Sequence, residues 1–247
     1  VTSGIWRPVI LEAWDDVRVE NVAFWSTEVS ERAATVHYSI EISSSQPVEE
    51  ARVAVYNGDC DKLLSTLICS LKQGMNKIEA NFKLRNPRLW WCNGMGEASL
   101  YKFRTELICN GKKKDTSVHT TGIRSIELIR EDDVDGQSFY FCLNGVRVFA
   151  KGANYIPSDN FLPKVTIDKY EKTIADAVAV HMNMLRVWGG GIYENDEFYT
   201  LCDRYGLLVW QDFMFACSLY PTEGVLLENI RQEAVDNVKR LRNHPCM

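Results

Sequence analysis

The hydrophobic pattern of this chain changes period once, near Arg124, and that change bounds the fold more tightly than any single motif. Residues 17–123 alternate apolar and polar in segments at 17–26, 34–42, 51–56, 63–71, 76–84 and 100–109, rich in Val, Ile, Thr and aromatics. Turn clusters separate them: Ser43-Ser44-Ser45-Gln46-Pro47, Asn57-Gly58-Asp59 and Asn110-Gly111. Six or seven short strands in about a hundred residues predict an antiparallel β-sandwich. Trp90-Trp91, after Asn86-Pro87, reads either as a surface platform for a sugar or as a packed pair.

Beyond Arg124, helix and strand take turns. Residues 139–143 and 146–150 flank Asn144-Gly145, a dipeptide favoured in two-residue hairpin turns. Residues 166–182 predict a helix capped by Thr166, with Tyr170, Ile174, Ala177, Val178 and His181 on one face, His181 as a packed histidine. A strand at 183–187, a helix at 195–205 stopped by Gly206 and a strand at 207–210 follow. A long helix capped by Thr222 then runs to about Arg242, with Val225, Ile230, Ala234, Val238 and Leu241 inward.

Strands that alternate with helices predict a parallel sheet covered by those helices. Gly189-Gly190-Gly191 sits between a strand and a helix but lacks the spacing of a nucleotide-binding turn. A (β/α)8 TIM barrel is therefore preferred to a doubly wound sheet. About three of its units fit before His244-Pro245, where the long helix ends. An arc of that size leaves strand edges unpaired, so the chain reads as truncated at the start of the fourth barrel strand.

Composition narrows the function. Net charge is −5 and the Lys112-Lys113-Lys114 run reads as a solvated hairpin tip, so no nucleic-acid partner is expected. No apolar run reaches the ~20 residues of a membrane span, so no membrane partner is expected. The chain opens on Val1 with no signal-peptide pattern, as a processed or excised piece would. The 8 cysteines include no CxxC pair and are expected to be mostly buried free thiols. No Asn-x-Ser/Thr sequon occurs, which favours a bacterial periplasm or cytoplasm over a lysosome. No cluster has metal-ligand spacing, and neither metal nor cofactor is expected.

In a parallel barrel, functional residues lie where strands end. Three such places are legible: 151–159 after the first strand, Arg186-Val187-Trp188 at the end of the second, and Gln211-Asp212 at the end of the third. Asn154 and Asp159 on the first are either site polar groups or turn residues. Arg186 and Asp212 are a cation and a carboxylate able to pair. Trp188 offers an aromatic face or fills the core.

Three motifs carry a resemblance over nearly the whole chain. They are FCLNGVRVFAKGANYIPSD at 141–159, RVWGGGIYENDEFYTLCDRYGLLVWQDFMFAC at 186–217, and Asn243-His244-Pro245 after Tyr220-Pro221. With SGIWRPV at 3–9 and Thr121-Gly122-Ile123-Arg124, the sequence resembles glycoside hydrolase family 2, most closely its β-mannosidase branch. The resemblance implies a multidomain β plus α/β chain. Residues 1–16 would end an N-terminal sugar-binding jelly roll, 17–123 would form an immunoglobulin-like sandwich, and 124–247 would be the N-terminal part of the catalytic TIM barrel.

It also implies a retaining mechanism with one Glu as acid/base and another as nucleophile. Both are expected beyond the C-terminus, so the isolated chain is expected to be inactive, and Glu194, Glu197 and Asp212 are not assigned those roles. The resemblance makes Trp188 the residue touching the sugar in the cleaved subsite, through its indole face and N–H. Arg186 would pair with the nucleophile or with Asp212, and Asp212 would orient Arg186 or a substrate hydroxyl. The function implied is an exo-β-mannosidase acting on terminal non-reducing β-D-mannose, with a β-mannoside as partner and a homodimer as an option. The alternatives are another family 2 exo-β-glycosidase, such as a glucosaminidase, and a glycan-binding sandwich using Trp90 and Trp91.

Overall fold

The computed structural model describes residues 4–247, so Val1, Thr2 and Ser3, the first residue of the SGIWRPV motif, lie outside the described residues. The chain divides into two compact units. One holds Leu11–Leu89 and Ser99–Ser125; the other holds the chain up to Ile10, Trp90–Ala98 and Ile126–Met247.

The first unit is all antiparallel strand. Its elements are β1 (Val17–Thr27), β2 (Ala33–Ser44), β3 (Val48–Asn57), β4 (Lys62–Leu71), β5 (Gly74–Arg85), β6 (Tyr101–Cys109) and β7 (Lys112–Thr121). They form a three-stranded sheet, β1-β2-β5, and a four-stranded sheet, β4-β3-β6-β7. Alternation puts Val22, Phe24, Tyr38, Ile40, Val53, Val55, Phe103 and Leu107 inside, all nearly inaccessible. Phe103 of one sheet meets Phe24 and Phe82 of the other at ring distances of 4.9 and 5.4 Å. Each such buried ring contributes about 1.5–3 kcal/mol. The Tyr38 hydroxyl, buried in the same core, pairs with Ser65 Oγ of β4 at 2.9 Å.

The lysine run corrects the sequence reading. Lys112–Lys114 are the first residues of β7, and only Asn110-Gly111 form the tip, with φ of 49° and 74°. Lys114 is tied to Asp16 at 2.9 Å. All 8 cysteines are free thiols, with Cys92, Cys109, Cys202 and Cys246 buried.

The second unit carries two sheets. β8 (Ile126–Ile129), β9 (Tyr140–Leu143) and β10 (Val146–Val148) are antiparallel, the last two joined at Asn144-Gly145. β11 (Gly152–Tyr155), β12 (Met184–Val187) and β13 (Leu208–Gln211) are parallel neighbours in chain order. Three helices accompany them: α1 (Ile167–Ala179), α2 (Asp196–Tyr205) and α3 (Gly224–Leu241). Thr166 caps α1 through Lys169 N–H, and Gly206 ends α2 in the left-handed region with φ 72°. Among the described residues no helix is long and apolar enough to cross a membrane.

Three details differ from the expectation. The first parallel strand is Gly152–Tyr155 itself, so Asn154 lies in a strand and not in a loop after one. Helix α3 is capped at Glu223, without a side-chain hydrogen bond and not at Thr222, and only Leu241 of it is buried. Val225 and Val238 are exposed at 80% and 52%. Helix α1 stops at Ala179, leaving His181 exposed with φ 63° and not packed.

Candidate functional site

The parallel register sets Asn154 beside Arg186, and Tyr155, Val187 and Gln211 at one level near the strand ends. From this frame the Arg186 guanidinium reaches both neighbours. Its Nη1 donates to Asn154 Oδ1 at 3.1 Å, and its Nε donates to Asp212 Oδ1 at 3.2 Å. Nη2 lies 2.6 Å from Asp212 Oδ2, completing a side-on two-point pair. Asp212 Oδ2 also accepts the Gly189 N–H at 3.1 Å, and the Asp212 N–H donates to the Val187 carbonyl at 3.1 Å. With Arg186 40% and Asp212 17% exposed at the side chain, the pair adds little stability but fixes the plane of the cation.

Trp188 leaves β12 with its N–H on the Tyr155 carbonyl at 3.0 Å, and its own carbonyl accepts Gly191 N–H at 3.1 Å. Its side chain is half-buried. Two glycines of the triplet are required by contact rather than by dihedral angle. A Cβ on Gly190 would lie 2.0 Å from the Trp188 ring, and one on Gly189 would lie 2.5 Å from the Phe213 carbonyl oxygen. The triplet thus lets one indole and two backbone segments share a space that side chains would fill.

Asn154, Arg186, Asp212 and the Trp188–Gly189 turn therefore come together. Asp159 does not join them. Its carboxylate accepts Phe161 N–H at 2.9 Å and pairs with Lys169 at 3.3 Å, and these contacts, the backbone N–H first, hold it below the usual carboxylate range. These contacts are those of a turn residue. Trp90 is fully buried and donates its indole N–H to the Asp203 carbonyl at 2.8 Å, so it presents no face to a glycan.

Behind the cluster lies a second layer that sequence reasoning passed over. Gln211 Nε2 donates to the Asp212 carbonyl at 2.9 Å, and its Oε1 accepts the Tyr199 hydroxyl at 2.6 Å. Tyr199 in turn accepts the Glu194 N–H at 3.2 Å. Glu194 is 1% exposed; its Oε2 accepts the Tyr170 hydroxyl at 2.5 Å while Oε1 has no partner among the described residues. Burial pushes the Glu194 carboxyl up, against the smaller opposing pulls of Tyr170 and Arg7. Arg7, read from sequence only as part of an N-terminal motif, donates to the Tyr193 carbonyl. Arg240 caps the Glu194 carbonyl with both terminal nitrogens at 3.1 Å.

The raised Glu194 value has a testable sign. Between the ordinary 4.5 and its raised value, the folded chain keeps a proton that the unfolded chain has released. Stability therefore falls as pH rises through that window. Glu194→Gln is expected to match the wild type in Tm at acid pH and to gain on it toward neutrality. Thermal melts at both pH values check this; a gap that does not widen with pH rules it out.

One further cluster was invisible in the spacing. Asp203, His244 and Cys246 bring their ligand atoms within 4.8 Å of one another. Each is engaged by protein: His244 Nδ1 donates to Asp203 Oδ2 at 2.5 Å, Cys246 N–H to Asp203 Oδ1 at 3.0 Å, and the Cys246 thiol to the Tyr199 carbonyl at 3.7 Å. The arrangement is a clamp that sets Cys246 beside β13, where its carbonyl accepts Val209 N–H at 2.6 Å.

Flanking the glycine triplet, Tyr193, Phe213, Met214, Phe215, Tyr220 and Leu226 line most of an apolar hollow of about 310 Å³. Phe213, Phe215, Tyr220 and Leu226 are each more than 40% exposed.

Comparison with known proteins agrees with this frame. The profile of Glycosyl hydrolases family 2 matches residues 16–124. β-Mannosidase B of Aspergillus flavus is 41% identical over 254 aligned positions, covering 100% of this chain and 29% of the relative. That of Emericella nidulans is 38% identical, covering 98% of this chain and 30% of the relative. The crystal structure of β-D-mannosidase from Dictyoglomus thermophilum superposes with a TM-score of 0.89 at 38% identity, over 99% of this chain and 30% of that one. Amycolatopsis orientalis exo-chitosanase CsxA, at 19% identity, shares the fold with a TM-score of 0.77. The chain thus spans about three tenths of the length of the relatives it matches. The profile match across the sandwich, and mannosidase similarity along all of the rest, mean that this chain belongs to glycoside hydrolase family 2.

Proposed function

We propose that the protein carrying this chain is a retaining exo-β-mannosidase that removes terminal non-reducing β-D-mannose, and that this segment supplies sugar binding rather than the catalytic pair. The observation that carries the reading is the joining of Trp188, Arg186, Asn154 and Asp212 at one end of three successive parallel strands. A planar cation, an aromatic face and a carboxylate in one place suit a pyranose, whose C–H face stacks on rings and whose hydroxyls hydrogen-bond to charged groups.

The parallel sheet is read as the opening of a (β/α)8 barrel: its strands follow chain order, α1 and α2 each lead to the next parallel strand, and the clamp lays Cys246 beside β13. Residues 17–123 are read as an immunoglobulin-like domain, 124–247 as barrel, and 1–16 as the end of a preceding domain. Within the site, Trp188 contacts the sugar, Arg186 is held by Asp212 and Asn154 to meet a carboxylate, and Asp212 carries the support. Asp212 is read as support for Arg186 and the Gly189 turn, both its oxygens being engaged there. The burial of Trp90 argues against the glycan-binding module.

Initial rates on a panel of aryl β-glycosides test the reading, with the whole protein and the 247-residue chain run side by side. Mannoside is expected to be the preferred substrate of the whole protein, and the chain alone is expected to turn over none. Preference for another sugar would remove the mannosidase reading and leave the site. Turnover by the chain alone would refute the assignment of binding without chemistry.

A further inference from the structure

We propose that Tyr199 is a positioning residue for Asp212, acting through the side chain of Gln211. The inference rests on the reading of Asp212 as part of the sugar site.

Tyr199 stands on α2 with no accessible surface. Its hydroxyl has two neighbours of opposite kind. The Glu194 N–H can only donate to it, at 3.2 Å, so the phenol proton is free to go to Gln211 Oε1 at 2.6 Å. That assignment settles which end of the Gln211 amide faces which partner. With Oε1 held by Tyr199, Nε2 faces the Asp212 carbonyl and donates at 2.9 Å. A flipped amide would set two donors against the phenol and an oxygen against a carbonyl oxygen. Burial raises the Tyr199 phenol above its ordinary range, so it remains a donor throughout the range in which a glycosidase works.

Tyr199 is itself held on several sides. Its ring meets Phe198 edge-on at 5.3 Å and lies 5.7 Å from the His244 ring. Its carbonyl accepts the Cys246 thiol, and Arg240 lies over its face at 5.5 Å. The Asp212 main chain is thus anchored twice, by its N–H to Val187 on β12 and by its carbonyl to Gln211 and so to α2. With the backbone pinned, the carboxylate can span Arg186 and Gly189. Sequence reasoning treated Tyr199 as one aromatic on an amphipathic helix. The structure assigns it a hydroxyl whose removal would reach the site without touching a ligand.

The test is steady-state kinetics of Tyr199→Phe in the whole protein, on whichever aryl β-glycoside of the panel it turns over fastest, so that a wrong sugar assignment does not confound the result. The expected outcome is a KM raised about five- to tenfold, as for the loss of one hydrogen bond, with kcat changed less than twofold. Loss of folded protein would instead lower kcat and leave KM in place. In an Asp212→Ala background the same substitution is expected to leave KM unchanged. Gln211→Met, which removes the intermediary, is expected to reproduce the KM effect and covers the case in which Tyr199→Phe fails to fold. An unchanged KM in the folded single variants, or an equal rise in the Asp212→Ala background, overturns the proposal.

Discussion

Trp188→Ala is expected to lower kcat/KM on an aryl β-glycoside by about 10²–10³-fold, the effect of losing a central aromatic anchor worth ~2–4 kcal/mol. Its Tm is expected to move little. The half-buried indole lies against Gly190, and the two hydrogen bonds that build the turn come from the Trp188 main chain, which alanine retains. Truncation therefore removes the ring proposed to meet the sugar and leaves the frame. Trp90→Ala is the contrasting case. That ring is fully buried with its N–H on the Asp203 carbonyl, so its loss is expected to cost about 3–5 kcal/mol of stability and to leave KM as it was. Kinetics and thermal unfolding of both variants check the pair. Wild-type turnover by Trp188→Ala would end its assignment to the sugar site.

Asp212→Ala is expected to reduce kcat/KM on the order of 10²-fold and to cost about 1–3 kcal/mol of stability, because Gly189 N–H and two guanidinium nitrogens lose their acceptor together. Arg186 would keep only Asn154 and could turn in its plane. Asp212→Asn separates shape from charge. Its one oxygen can still accept from Gly189 and Arg186 Nη2, but its NH2 faces the Arg186 Nε donor and it no longer neutralises the cation, so it is expected to recover part of the stability and part of the activity. Full activity in Asp212→Asn would show that a neutral acceptor is enough to orient Arg186. Equal losses of stability in both variants would show that the charge, not the geometry, holds the turn.

Much of this was legible without coordinates. Period-two segments located β1 to β6, the Asn-Gly pairs at 110–111 and 144–145 located two hairpin tips, and Thr166 and Gly206 marked helix ends, because these are local preferences of backbone and side chain. Trp188, Arg186 and Asp212 could be placed near one another from sequence because strand ends in a parallel sheet share one edge. The failures are equally specific. Gly-Ala-Asn-Tyr holds only one residue that favours strands, and β11 pairs with β12 through a close backbone approach, a Cβ on Gly152 lying 1.8 Å from the Met184 carbonyl oxygen. The start of β7 is masked by three lysines that the ladder tolerates because their side chains reach solvent or Asp16. Asp159 has a carboxylate at a suitable place in the chain, but a local N–H and Lys169 take it up.

By itself, the sequence located the change along the chain from antiparallel strands to alternating strands and helices, and the strand ends at which Arg186, Trp188 and Asp212 fall. Those follow from periodicity and turn chemistry, which act over a few residues. Only the tertiary structure decided which polar groups meet. Arg186 takes Asn154 and Asp212 from two other strands, Tyr199 reaches Gln211 across a helix–strand contact, and His244 finds Asp203 from 41 residues away. Such pairings depend on strand register and on burial, which leave each buried donor and acceptor few partners within reach, and no local pattern records that choice.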